Sequence, residues 1–417
     1  MISISLSPNT EPDDIRLAFK LLFQPWRWQK GNAIETLEKE FADYLGAKHA
    51  ISFNSGRSAL LAILDALELE KDDEVLLQAF TCNAVPNPVI WSGLKPVYVD
   101  CNESDFNIDA ADLEKKITPK SRAVVVQHTF GILADLEKIM QICKEHGLIL
   151  IEDCAHALGA KYKGREAMSA GRQVGTLGKV AFFSFSRDKV ISSVYGGMAT
   201  TNDPSIAQKI RQFQDKVSYP SHSWILQQLL HPVIMNIKIL PFYAIGGKYL
   251  LIIAQWLHIL SKAVHWKEKR GLKPSYFPRR LPNALAILAF HQFKKLNRFN
   301  QHRKEIAELY SRELVHTKYQ ILNTKYQEGG IFLRFPVQHP NAHEIIKKAW
   351  AKNILIGDWY TFPIAPDDTQ LDKLQYEKGN CPNAERLSQI TLNLPTHVRI
   401  SRKEAYKIIE ILKGYAS

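Results

Sequence analysis

Lys189 stands at a costly position. A buried-strand run, Val180 to Phe185, leads through a polar elbow, Ser186-Arg187-Asp188, to the lysine. Beyond it lie a β-branched and serine segment, Gly196-Gly197 and a second apolar run, Met198-Ala199-Thr200. An ammonium at the end of a buried strand is unfavourable unless it is solvated, paired or neutral. A lysine that forms an imine with a carbonyl has a reason to sit there; one that snorkels to water is the plain alternative. Two further strands end in polar groups: Ala123–Val126 in Gln127-His128, and Leu148–Ile151 in Glu152-Asp153-Cys154-Ala155-His156. His128, Asp153, Cys154 and His156 are metal-ligating types, but no helical His-x-x-x-His or Cys/His spacing organises them, so no metal is expected. A lone strand-end aspartate is more often a helix cap. Finally, His49–Phe53 runs into Asn54-Ser55-Gly56-Arg57-Ser58 and an apolar helix. That turn aims free N–H groups and a positive helix end at an anion, although capping by Ser55 or Asn54 explains it equally well.

The elements that position these groups alternate. Strands are predicted at His49–Phe53, Glu74–Leu77, Pro96–Asp100, Ala123–Gln127 and Leu148–Asp153, with helices such as Glu35–Leu45, stopped by Gly46, and Leu136–His146 between them. Alternation of this kind predicts an α/β fold with a mostly parallel sheet, helices on both faces and ligands at the strands' carboxyl ends. Leu281–Leu309 reads as one long helix or two. A smaller C-terminal lobe is expected, with a strand at Ile331–Phe335 and helices at Ala342–Ala351 and Lys403–Leu412.

A chain of 417 residues, 46% hydrophobic and 23% charged, has the size and composition of a two-lobed enzyme. Its net charge of +12 points to an acidic partner. Because the cations are spread through the chain, nucleic acid ranks below a phosphorylated small molecule or a membrane surface. The odd set Cys82, Cys101, Cys143, Cys154 and Cys381, without a Cys-x-x-Cys pair, reads as reduced cytoplasmic thiols. The N-terminus lacks the basic-then-apolar pattern of a secretory signal.

Trp224 to Arg270 differs in character: apolar, aromatic, basic at its end, and punctuated by Pro232, Pro241 and Gly246-Gly247. No uninterrupted apolar run in it reaches the ~18 residues of a spanning helix. Two readings stay open. One is a pair of helices buried against the core or a second subunit. The other is an amphipathic hairpin in a membrane interface, with Trp224, Trp256 and Trp266 at headgroup depth and Lys262, Lys267, Lys269 and Arg270 towards anionic lipid.

Taken in order, LEKEFADYLGAKHAISFNSGRSAL, PVYVD, the strand–His128–Gly131 segment, HGLILIEDCAHALGA, FSFSRDK…GGM, the Leu281–Arg298 helix and CPNAERLSQITLNLPTH resemble the DegT/DnrJ/StrS family of sugar aminotransferases. These are fold-type I enzymes that use pyridoxal 5′-phosphate (PLP). The resemblance implies a large domain, 1–300, with a seven-stranded, mostly parallel sheet. It also implies an apolar, basic-ended insertion at about 219–275 and a small α/β domain, 301–417. Lys189 falls on the Schiff-base lysine, and Asp153 on the carboxylate facing the pyridine nitrogen. Ser184 falls on a phosphate hydroxyl donor, and Ser55, Gly56 and Arg57 on the phosphate cradle, where the family usually has threonine after the glycine. Other positions depart from the pattern. His156 stands where glutamine is usual beside the phenolic oxygen, which it would stabilise further if cationic. Cys82 stands where an aromatic commonly stacks on the ring. Pro278 replaces an asparagine that reaches the neighbouring subunit's phosphate, leaving Arg279 or Arg280 as substitutes from the partner chain. His128 is a further candidate substrate or partner contact.

The reading is a cytoplasmic homodimer with shared active sites, with residues 224–270 as its candidate contact with the inner membrane face. It transfers an amino group from glutamate or glutamine to a nucleotide- or lipid-linked keto-deoxysugar. The rivals are a PLP-dependent dehydratase or epimerase and a non-catalytic binding protein on the same fold.

Overall fold

The computed structural model describes residues 1–162, 171–322 and 329–416. Seven strands form the central sheet: β1 (His49–Phe53), β2 (Glu74–Gln78), β3 (Lys95–Val99), β4 (Ser121–Gln127), β5 (Ile149–Asp153), β6 (Val180–Ser184) and β7 (Gly197–Thr201). Their spatial order is β1-β7-β6-β5-β4-β2-β3. The pairs β6–β5, β5–β4, β4–β2 and β2–β3 are parallel, while β7 runs antiparallel to both β6 and β1. The expected alternation and mostly parallel sheet are therefore present. The reversed β7 follows a connection, 185–196, that contains no helix, whereas a parallel partner is usually reached through a helical crossover.

This topology brings the ends of β1, β4, β5 and β6 and the start of β7 to one edge. β2, β4 and β5 are almost wholly buried, as strands covered on both faces must be. The helix Gly56–Ala66, apolar nearly all round, lies buried on one face. The helices Ala33–Leu45 and Asn283–Phe293 pack together within a core that includes Phe41, Phe183 and Phe185.

The C-terminal lobe is a three-stranded antiparallel sheet, β8 (Gln320–Ile321), β9 (Arg334–Gln338) and β10 (Thr391–Pro395). Helices Ala342–Ala351, Pro382–Ile390 and Arg402–Ala416 accompany it. The strand expected at Ile331–Phe335 begins later, because Phe332 has φ +51° and breaks the extended backbone. The expected Leu281–Leu309 helix is two, Asn283–Phe293 and Leu296–Leu314, and the second crosses the boundary expected at 300. The N-terminal Ile2–Ser3 pairs with Ile354–Leu355, so the chain's start joins the second lobe. All five cysteines are free.

Residues 219–275 divide into a packed part and an exposed part. His222–Ile234 buries Ile225, Leu229 and Pro232, and Trp224 packs on Tyr195 with ring centroids 5.3 Å apart. A π-helical turn, Met235–Ile239, then leads to the helix Gly247–Trp256, most of whose side chains face outward.

Candidate active site

A pocket at the carboxyl edge of the sheet is lined by Gly56 and Arg57 after β1, Gln127 ending β4, Asp153, Ala155 and His156 after β5, and Ser184, Ser186, Asp188 and Lys189 after β6. Cys82, Trp359 and Tyr360 line it from one side and Ala263 and Val264 from another. The sheet thus gathers residues far apart in sequence, as strand ends at one edge of an open sheet do.

Lys189 is fixed first through its backbone. The Asn9 amide nitrogen donates to the carbonyls of Lys189 and Val190. Arg303, fully buried, donates to Asn9 Oδ1 and to Val190 O, each at 2.8 Å. The side chain reaches His156, with Nζ 2.8 Å from Nε2. The other imidazole nitrogen, Nδ1, accepts the Phe130 N–H at 3.3 Å. A neutral imidazole that accepts at Nδ1 carries its proton on Nε2. An Nε2–H aimed at Lys189 suits the free-amine form of the lysine, whose nitrogen can offer a lone pair. Burial lowers the lysine's pKa, working against the carboxylates of Asp188 and Asp153. Burial, followed by the charges of Lys189 and Arg334, holds His156 well below its ordinary value. The cationic His156 considered as an aid to a phenolate is thus not the form this geometry favours; a neutral Nε2–H donor is.

Asp153 is buried at the end of β5, where Oδ1 accepts the Ala155 N–H at 3.0 Å. Burial pushes its pKa up to about 6, against the pull of Lys189 and His128. A carboxylate in that state gains from a cation placed against it.

The turn before Gly56–Ala66 is built for close approach. Ser55 caps the helix by accepting from Ser58 N–H at 3.0 Å. A Cβ on Gly197 would lie 2.4 Å from Gly56 N, and one on Gly56 would lie 3.2 Å from Ser184 Cβ. The glycines let β6, β7 and the helix start pack together, with Ser184 beside that start.

Arg57 does not lie free in the pocket. It is paired with the fully buried Glu268, stacks over Phe277 at 5.4 Å and donates to Ala263 O at 3.5 Å. The resemblance places Arg57 on the phosphate cradle; in the structure its guanidinium is turned to Glu268. Burial raises the Glu268 pKa, and Arg57 opposes that rise.

His128 is not among the pocket-lining residues. Its Nδ1 accepts the Ala134 N–H at 3.2 Å, its Nε2 faces Glu152 at 3.6 Å, and it is completely buried, which removes it as a substrate contact within this chain. Glu152 is spent on the backbone N–H groups of Gly175, Leu177 and Gly178. Arg280 is paired with Asp215 at 2.6 Å, and Arg279 donates to Ser218 and to the Ser275 carbonyl. Neither lines this chain's own pocket. Cys82 does; burial raises its thiol pKa.

Sequence reasoning missed Trp359, Tyr360, Arg334 and Glu268. Trp359 stacks on His156, lies 4.5 Å from Lys189 Nζ and carries the Arg334 guanidinium 3.5 Å from its ring centre. Arg334 also pairs with Asp188 at 3.3 Å. The Trp359 loop reaches the pocket because Ile364–Ala365 pairs with Thr81–Cys82. The one signal in the sequence was an aromatic run, Trp359-Tyr360-Thr361-Phe362, between Asp358 and Pro363.

Fold and site together define a PLP-dependent transaminase of fold-type I. A buried lysine whose pKa is lowered, a buried carboxylate seeking a cation and a glycine-spaced helix start beside a serine suit an aldehyde, a pyridinium and a phosphate on one molecule. The profile of the DegT/DnrJ/EryC1/StrS aminotransferase family matches residues 10–233 and 256–413, and the chain belongs to that family. Among its relatives is the GDP-perosamine synthase of Caulobacter vibrioides, 34% identical over 63% of this chain and 68% of its own. The spore coat polysaccharide biosynthesis protein SpsC of Bacillus subtilis is 28% identical over 97% of this chain and 95% of its own. In structure the chain is similar to PseC of Helicobacter pylori, an aminotransferase involved in pseudoaminic acid biosynthesis. That likeness has TM-score 0.76 at 21% identity and covers 100% of this chain and 99% of that one.

Proposed function

We propose that this enzyme moves an amino group from glutamate or glutamine to a keto-deoxysugar carried on a nucleotide, for cell-surface polysaccharide or glycoconjugate synthesis. The observation that carries the transfer chemistry is the Lys189 amine held 2.8 Å from a neutral His156 in the pocket that Asp153 lines. The sugar acceptor is supported by the relatives' names and by a net charge of +12, which suits a diphosphate-bearing substrate.

When bound, PLP supplies an electron sink that lets the amino group leave one carbon and join another. The chain supplies the rest. Lys189 Nζ would anchor the cofactor's aldehyde and, as a free amine, would hold and move the proton at the substrate carbon. Asp153 would favour a protonated ring nitrogen. The Ser55–Gly56 helix start and the Ser184 hydroxyl would hold the phosphate. His156 would offer its Nε2–H to the phenolic oxygen, and Cys82, Trp359 and Tyr360 line the pocket against water.

In this reading the active enzyme is a homodimer in the cytoplasm, with Arg279 or Arg280 completing the partner's phosphate site. It lies against the inner membrane face through part of 224–270, which also suits a lipid-linked acceptor. Glutamate added without any acceptor should bleach the bound cofactor's visible band in one turnover, and a nucleotide-linked keto-sugar should then gain an amine, read by mass spectrometry. A dehydratase or epimerase need not complete the first step, and a non-catalytic relative completes neither.

A further inference from the structure

The hairpin from Ile234 to Leu260 is a folded element with its apolar side turned outward. Met235, Ile239, Leu240, Ala254 and Leu260 form a small buried core of its own. The opposite side leaves Ile245 at 83% and Trp256 at 77% exposure, with Ile252, Ile253, Tyr249 and Phe242 each more than half exposed. A solvent-facing helix normally turns polar residues outward, and a contiguous apolar patch marks an interaction site. The family profile matches 10–233 and 256–413, so most of this hairpin lies outside the part that defines the family.

Charge decides what covers it. Between Asp215 and Glu268 the sequence has no aspartate or glutamate, and Glu268 is buried against Arg57. Lys238 and Lys248 stand exposed on the hairpin, with Lys262 and Arg270 exposed just beyond it. A second copy meeting this patch about a two-fold axis would set the same surface against itself, bringing lysines together with no carboxylate to pair them. An anionic lipid surface satisfies both features, with apolar side chains in the acyl boundary and lysines at the headgroups. No helix among the described residues is long and apolar enough to cross a membrane. Gly247–Trp256, ten residues or about 15 Å, fits lying in the interface.

We propose that the hairpin 234–260 docks this enzyme onto anionic phospholipid. The proposal gives chemistry to the peripheral location in the reading of function and stands apart from the transfer reaction. It also narrows the contact within 224–270, since Trp224 is half-buried against Tyr195.

The test is flotation of the full-length holoenzyme with vesicles of phosphatidylcholine alone or with a quarter phosphatidylglycerol. Wild type should float with the anionic vesicles and much less with the neutral ones. The Ile245→Ser/Ile253→Ser/Trp256→Ser variant should bind anionic vesicles at least about tenfold more weakly. Lys238→Glu/Lys248→Glu should lose the preference for anionic lipid. All three proteins should bleach equally with glutamate, which shows that they are folded and keeps this result separate from the catalytic reading. Wild type that floats with neither vesicle, or a triple serine variant that floats like wild type, overturns the proposal. So does a triple variant that drops to half the sedimentation mass, which would assign the patch to a second copy.

Discussion

Arg57 and Glu268 form a buried ion pair between the helix start at the pocket and the far end of the apolar stretch. Hydrogen bonds also hold the segment between Ser261 and Glu268 to the catalytic lobe. Arg187 donates to the Ser261 carbonyl at 2.7 Å and to its hydroxyl at 2.9 Å, and the Tyr195 hydroxyl donates to Lys262 O at 2.9 Å. The strap so formed presents Ala263 and Val264 to the pocket.

Removing one partner of a buried pair leaves an uncompensated charge, at a cost of roughly 3–5 kcal/mol. Glu268→Gln should lower the melting temperature of the cofactor-free protein accordingly. An anion at the helix start can take over Arg57, so saturating PLP or inorganic phosphate should recover more stability in Glu268→Gln than in wild type. Differential scanning fluorimetry with and without phosphate measures both.

Lys189→Ala removes the anchoring amine and the proton carrier. The glutamate half-reaction should slow by roughly 10³-fold or more. Absorbance should show a cofactor that is bound but released by gel filtration, whereas wild type retains it.

Asp153 gives a pH signature. Its folded-state pKa of about 6 lies above the unfolded value of 3.8. A carboxyl raised in this way binds its proton more tightly when folded. It therefore favours folding at low pH, and that contribution disappears as pH rises from 3.8 through about 6. The cofactor-free enzyme should lose on the order of 3 kcal/mol across that window through this group. Asp153→Asn should remove that slope, be the more stable apo-protein at pH 7, and be nearly inactive once loaded. Urea titrations at stepped pH check the first two points and the glutamate half-reaction the third.

His156 acts as a neutral donor, so Gln, which also carries an N–H donor, should keep half-reaction rates within about tenfold of wild type. Phe should lower them by roughly 10²-fold, a size expected when a positioned polar group is lost. Stopped-flow absorbance with glutamate separates the two. Wild-type rates should show no titration of His156 around its ordinary pKa, because burial keeps it neutral there.

Local signals determined a large part of this protein. The strand His49–Phe53 and the helices Leu136–His146 and Ala342–Ala351 fall where periodicity and stop residues put them. Lys189, Asp153, Gly56 and Ser184 share one pocket because each stands at a strand end, where side-chain period and turn chemistry are legible in a few consecutive residues. The tertiary structure decided the rest. Whether Arg57 faces a phosphate or Glu268, which tautomer His156 adopts, and that Trp359 and Tyr360 reach the lysine depend on contacts between segments 26 to more than 200 positions apart. The apolar stretch shows the same limit. Both of its helices are strongly apolar, yet the first buries one face in the core and the second is turned out, because which face finds a neighbour is a property of the assembled fold and not of the stretch.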